Sequence, residues 1–386
     1  MIPYSHQEIS QVDIDAVIKV LKSDFLTQGL MVPKFESAVA EYTGAKHGVA
    51  VNSGTSALHI ACLSLDLGAG DILWTSPISF VASANCGRYC GADVDFVDIN
   101  PDTWNIDIFA LKDKLVQARK EKRLPKVVVP VHFAGQPPEQ EKIWELAQEF
   151  GFRILEDACH AIGASRKGER VGSCRWSDIT VFSFHPVKII TTGEGGMAMT
   201  NDEELAWRMG ILRSHGISRE PERMTKKHEG PWYYEQLELG MNYRMTDIQA
   251  ALGISQLSRI DYFIEQRNLL AKKYNESLIG LPLKLTTVLP DNRSAFHLYV
   301  IRLMTEKVSC SHREIFESFR EEGIGVNLHY MPIHLQPYYK KMGFRNNLFM
   351  EAEKYAKEAI TLPMYPDLTD EQHSFVINKI KEHINV

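Results

Sequence analysis

The chain has 386 residues, 44% of them hydrophobic and 24% charged, with a formal net charge of -6 and no basic run. That length exceeds one ordinary hydrophobic core, so one large and one smaller domain are expected, and the near-average composition argues against long disordered stretches. The mildly acidic balance argues against nucleic acid or an anionic membrane as the main partner, and no apolar run approaches bilayer-spanning length.

The N-terminus, MIPYSHQEISQ, lacks the basic and apolar regions of a signal peptide, so a cytoplasmic location is expected. Ser10 precedes Val12, Ile14, Val17, Ile18 and Leu21 at helical spacing, with Asp13 completing a capping signature. Thr27–Gly29 reads as a turn and Phe35–Tyr42 as a helix ending at Gly44. From residue 47 strands and helices alternate. HGVAVN, DILWTS, DVDFVDI, KVVVPVH and RILEDA read as strands; GTSALHIACLSL, FVASANCGRYCG, Ile106–Lys120 and EQEKIWELAQEFG read as helices between them. Near-continuous apolar strands in such an alternation imply a mostly parallel sheet covered on both faces.

Two further strands flank residues 185–194, and a helix over Asp202–His215 closes the run. Residues 216–245 are polar, aromatic and aperiodic, which is long for a plain connection and suggests function or an interface. Helices follow across Thr246–Leu278, then a loop around Gly280–Pro290. A smaller α+β unit ends the chain, with strands at His297–Leu303 and Gly325–His329 and helices at Ser311–Glu322, near 350–360 and over 369–384. The expected division is 1–245 for the N-terminal segment and large α/β domain, and 246–386 for the connecting helices and small domain.

The six cysteines form no CxxC pair, and the Cys86–Cys90 spacing lacks a histidine pair, so free thiols and no metal site are expected. Gly193, Gly195 and Ala198 fit a loose GxGxxA, but it precedes an apolar strand where a dinucleotide fingerprint needs a helix, so that reading fails.

The stretch ITVFSFHPVKIITTGEGGMAMTN places Lys188 in a tight loop between two buried strands. A lysine held there can lose basicity and act as a nucleophile; a surface lysine on a glycine-rich loop is the plain alternative. Gly54-Thr55-Ser56 opens a helix after a strand, with free amides and two hydroxyls that suit a phosphate, although an ordinary N-cap reads the same way. Asp157 ends the strand RILEDA, where ligands of open α/β sheets bind, and could pair with a ring nitrogen or merely cap a helix. Ser183 adds a hydroxyl at the next strand end, and Phe80 could stack on a flat ring or lie in the core. Together these are the parts that pyridoxal 5'-phosphate (PLP) requires.

The segments NSGTSALH, TSPISFVASAN, EDACHAIGA, SFHPVKIITTGEGGM and GMNYRMTDIQAALG resemble the motifs of the DegT/StrS sugar aminotransferases, a branch of the fold-type-I PLP enzymes, and the likeness runs over nearly the whole chain. The resemblance implies a fold-type-I α/β architecture in which Lys188 carries the cofactor as a Schiff base and shuttles protons. It also implies that Asp157 keeps the pyridine nitrogen protonated, His160 lies near the ring oxygen, Phe80 stacks, and Thr55, Ser56 and Ser183 hold the phosphate. Asn242 would reach the phosphate in a neighbouring subunit, which implies a homodimer. YSHQEI, TSPISFVASAN and NLHYMPIHLQPYY resemble the branch that uses L-glutamate to aminate C4 of a UDP-linked 4-keto-6-deoxy-N-acetylhexosamine in pseudaminic acid biosynthesis, by a ping-pong cycle. Tyr4, Arg244 and His329 are candidates for sugar or nucleotide contacts, with packing roles equally open. The competing readings are an aminotransferase for another nucleotide-linked 4-keto sugar such as a UDP-4-keto-pentose, a PLP-binding regulator without turnover, and an α/β binding protein without PLP.

Overall fold

The computed structural model describes residues 1–226 and 230–384. Seven strands make the central sheet: β1 (His47–Val51), β2 (Ile72–Thr75), β3 (Asp93–Phe96), β4 (Val127–Val129), β5 (Arg153–Asp157), β6 (Ile179–Ser183) and β7 (Gly196–Thr200). Their order is β1-β7-β6-β5-β4-β2-β3. The pairs between β2 and β6 are all parallel, and β7 runs antiparallel to both β6 and β1. The apolar runs follow from burial on both faces. Val127 and Val129 point into one core with Leu155 and Val181, while Val128 and Ile154 point to the other face beneath Leu111, Leu115 and Ile143.

Local signals set most helix ends. Ser10 and Asp13 form a capping box on α1 (Gln11–Leu21). Gly44, at φ 83°, ends α2 (Met31–Thr43) in the left-handed region open to glycine. The start of α2 has no local cap. Its orphan amides at Met31 and Val32 are taken, each at 3.0 Å, by the carboxylate of Asp247. α3 (Gly54–Ser64), α4 (Ala82–Tyr89), α5 (Ile108–Lys120) and α6 (Gln140–Phe150) cover the sheet, and α7 (Glu203–Leu212) follows β7.

A second sheet is built from β8 (Leu283–Leu285), β9 (Tyr299–Leu303) and β10 (Ala359–Leu362), all antiparallel. It packs with α9 (Ile260–Leu278, after α8, Asp247–Leu257), α10 (His312–Glu321) and the C-terminal helix Asp370–Ile384. Three expectations change here. Gly325–His329 is not a strand: the alternation mimics one, but its backbone makes only isolated bridges, from Ile324 to Ile2 and from Asn327 to Thr361. The helix expected through residue 360 stops at Glu358, and the next four residues form β10 because β9 offers an unpaired edge. β8 lies in what reads as loop. Within 216–245, Ile217–Ser218 pair with Glu235–Gln236, and residues 227–229 lie outside the described residues.

The N-terminal segment ties the two sheets together. The Ile2 amide donates to Gly323 O at 2.7 Å, the Met364 amide to Tyr4 O at 3.0 Å, and the Ser5 hydroxyl to Val187 O at 3.0 Å, beside Lys188. No described helix is long and apolar enough to cross a membrane.

Candidate active site

A cavity of about 570 Å³ opens where β5 and β6 end and α3 begins, against the 327–330 segment. Thr55, Phe80, Asp157 and Ser183 line it, as do His160, Lys188, Tyr4 and His329.

At one end the first turn of α3 presents its free amides, and the helix dipole favours an anion there. Thr55 and Ser183 add hydroxyls at the wall. A Cβ on Gly54 would lie 2.9 Å from Ser183 Cβ and 3.2 Å from Cys159 Sγ, so only glycine lets α3 approach β6 this closely. Ser56 is turned into the helix turn, donating to Asn52 Oδ1 at 2.7 Å and lying 2.9 Å from Ser53 Oγ, and it does not line the cavity.

Strand alternation separates the two adjacent carboxylates of β5. Glu156 points away from the cavity and takes hydrogen bonds from Gln140 and Thr180; burial works against its charge, but His132 and these donors hold its carboxyl below the usual range. Asp157 points into the cavity. Its Oδ2 accepts from the Ser83 hydroxyl at 2.5 Å and its Oδ1 from the Cys159 amide at 3.2 Å.

Burial pushes the Lys188 amine below the ordinary lysine value. Burial, with the nearby Asp157 charge, pushes the Cys159 thiol well up and keeps it protonated, so Asp157 is the countercharge that opposes the shift on Lys188. Three imidazoles complete the wall. Burial, then the Lys188 charge, lowers His329 to about 3, and burial drives His160 and His297 well below the ordinary value. All three are therefore neutral. His160 Nε2 lies 3.1 Å from the Tyr330 hydroxyl, and His297 packs at 4.4 Å between ring centroids. Tyr4 packs against His329 at 5.1 Å, and the Phe80 ring, 57% exposed, faces Tyr330 at 6.2 Å.

Besides Ser56, two further candidates are not brought to this cavity. Asn242 is exposed and bridges Ser214, and Arg244 donates to Ser214 Oγ at 3.0 Å and bridges Val51. Sequence reasoning missed Ser83, His297 and Tyr330: Ser83 and Tyr330 adjoin the candidates Phe80 and His329, but their partners Asp157 and His160 are set only by the fold, and His297 comes from a segment that carries no site motif. The six cysteines are free, and no group of three metal-ligating side chains is found among the described residues.

The residues fit PLP. Amides and hydroxyls meet where Gly54 lets the start of α3 close on Ser183, a carboxylate lines the same cavity, and an amine of lowered basicity lines it too. Fold and site define an aminotransferase that works with PLP. The chain matches the DegT/DnrJ/EryC1/StrS aminotransferase family over residues 7–381, and it belongs to that family. It is 39% identical to the UDP-4-amino-4,6-dideoxy-N-acetyl-beta-L-altrosamine transaminase of Campylobacter jejuni, over 97% of this chain and 96% of the relative. The solved structure of Helicobacter pylori PseC, an aminotransferase involved in the biosynthesis of pseudoaminic acid, superposes with a TM-score of 0.90 at 31% identity, covering 99% of both chains. The PLP form of Spr1654 of Streptococcus pneumoniae superposes with a TM-score of 0.88 at 28% identity, covering 99% of this chain and 98% of the other.

Proposed function

We propose that this protein transfers an amino group from L-glutamate to C4 of a UDP-linked 4-keto-6-deoxy-N-acetylhexosamine, working as a homodimer in the cytoplasm. The reading of the sugar is carried by the match to the Campylobacter jejuni transaminase over nearly the full length of both chains. The character of the cavity supports it. Its far wall is made of neutral imidazoles and the phenols of Tyr4 and Tyr330, groups that exchange hydrogen bonds with sugar hydroxyls and carry no charge to neutralise.

Bound PLP supplies the electron sink that makes the α-proton of an amino acid removable. Thr55, Ser183 and the α3 amides would hold its phosphate, Asp157 would accept the hydrogen bond of its ring nitrogen, Phe80 would cover a ring face, and His160 would lie by the ring oxygen. Lys188 would anchor the cofactor and then, as an amine of lowered basicity, take the proton from the donor's α-carbon and return it on the other side of the reaction. The same residue reverses the transfer onto the sugar. Ser56 supports the cup from within α3 through Asn52 and Ser53. Asn242, exposed on its own chain, is assigned to the site of a second copy, with Arg244 beside it.

The test is direct. PLP-loaded protein should lose its visible band on addition of L-glutamate and release 2-oxoglutarate, and should regain the band when the keto sugar is added. A panel of UDP-linked 4-keto sugars, the pentose included, fixes the acceptor. A band that glutamate leaves untouched refutes the donor; restoration only by another sugar refutes the acceptor.

A further inference from the structure

We propose that Ser83 is a positioning residue for the transamination: its hydroxyl fixes the Asp157 carboxylate against the cofactor's ring nitrogen and, through Ser79, ties that carboxylate to the loop carrying Phe80. The inference rests on the cofactor placement proposed above.

Ser83 lies in the first turn of α4 and is 0% exposed. Its Oγ reaches Asp157 Oδ2 at 2.5 Å across a separation of 74 residues. The Asp157 backbone is already fixed, since its amide donates to Pro130 O at 2.9 Å and its carbonyl accepts from the His132 amide at 3.0 Å. What remains free is rotation of the side chain. The Cys159 amide holds one carboxylate oxygen and Ser83 holds the other, so the plane of the carboxylate is set from both sides.

The direction of the bonds follows from donor counting. An ionised carboxylate only accepts, so Ser83 gives it the single hydroxyl proton. Ser83 Oγ must then accept from Ser79 Oγ, 2.6 Å away and also buried. The Phe80 carbonyl stands 3.3 Å from Ser83 Oγ and offers the ordinary back-bond of a helical serine. The shorter, charge-assisted bond to Asp157 takes the proton instead. Ser79 and Phe80 both line the cavity. One hydroxyl pair therefore links the residue that meets the ring's nitrogen to the segment that covers its face, and each bond in the chain polarises the next toward Asp157.

The experiment compares Ser83→Ala, Ser79→Ala and Asp157→Asn. Loss of a hydrogen bond to a charged group corresponds to roughly tenfold to a hundredfold, so S83A should lower the rate of the glutamate half-reaction by that factor while KM for glutamate stays within about threefold. A second readout is independent of turnover. A protonated ring nitrogen makes the neighbouring cofactor–lysine linkage more acidic, so weakening Asp157 should move the pH midpoint of the visible band upward in S83A, by about one unit for a tenfold effect. S79A should move both in the same direction by less, and should carry the test alone if S83A does not fold. Unchanged rate and midpoint in S83A, or a lowered Tm with both unchanged, would overturn the inference. If D157N shifts both quantities and S83A neither, only the role of Ser83 falls. If D157N shifts neither, the cofactor placement itself falls.

Discussion

Gly54→Ala tests how closely the phosphate cup is built. The added Cβ would stand 2.9 Å from Ser183 Cβ, 3.2 Å from Cys159 Sγ and 3.3 Å from Ser183 Oγ. Carbon atoms rest at about 3.5–4.0 Å, so the gap must open by roughly half an ångström or more. Neither side can retreat easily. Ser183 ends β6, which is laddered to β5 and β7, and a Cβ on Gly196, its partner across the ladder in β7, would stand 2.4 Å from the Ser53 carbonyl oxygen. The Ser53–Gly54 peptide is thus seated tightly against two paired strands at once. Overpacking of this kind costs about 1–3 kcal/mol. Its easiest relief is rotation of the Ser183 hydroxyl, which costs the phosphate one charge-assisted hydrogen bond, about 1.5–3 kcal/mol, or roughly ten- to a hundredfold in PLP affinity. The assay is a titration of apo-protein with PLP by absorbance, alongside melts with and without cofactor. G54A should melt lower and bind PLP at least about tenfold more weakly. Native affinity together with a native melting temperature would refute the packing argument.

Gly210, inside α7, has nothing within 4 Å of its missing Cβ, so Gly210→Ala should raise stability by about 0.5–1 kcal/mol and leave PLP affinity alone; a loss of stability would show an unseen clash. Lys188→Met should abolish turnover yet stabilise apo-protein at neutral pH. The native amine is held below its ordinary value, so between that lowered value and the ordinary one the unfolded chain binds more protons, and wild-type stability rises with pH across this window. Denaturant titrations of the two apo-proteins at increasing pH should converge toward the ordinary lysine value; a gain independent of pH would refute the burial account. Arg302 and Glu358 pair at 2.7 Å with their side chains 3% and 11% exposed, so Arg302→Ala should cost about 3–5 kcal/mol and Arg302→Met with Glu358→Met much less, measured by urea unfolding.

The large sheet was legible because each strand, buried on both faces, is written as a short apolar run, and each helix between them declares its start or stop locally. What failed to show lies where tertiary contacts override the local pattern. The run GVNLH alternates as a strand should, but Ile2 and Thr361 each claim only one position of it or its neighbour, and no ladder forms. AITL continues a helical segment without a break, and only the unpaired edge of β9 turns it into β10. The start of α2 could not be read at all, because its cap is the carboxylate of Asp247.

The site divides in the same way. Thr55, Asp157, Ser183 and Lys188 were legible because strand-end chemistry places each within a contiguous motif, and the fold then gathers the motifs at one edge. The parity of β5 agrees with the choice of Asp157 over its neighbour, sending Asp157 to Ser83 and Glu156 to Gln140 and Thr180. What the sequence could not show is the residue that holds Asp157. Ser83 reads as one more small residue in a helix, because its partner lies 74 positions away. Asn242 and Arg244 mark the opposite limit. They stand in a clear motif, yet their own chain leaves them outside the cavity, on a segment bonded to Ser214 and Val51. Under the proposed function this motif serves the site, and since its own chain does not deliver it there, the proposal requires delivery by another copy. Mixing Asn242→Ala protein with Lys188→Ala protein therefore discriminates. A heterodimer of the two would carry one cavity with both residues intact and should recover activity that neither variant shows alone. Failure to recover would place Asn242 in the cavity of its own chain, or in no cavity.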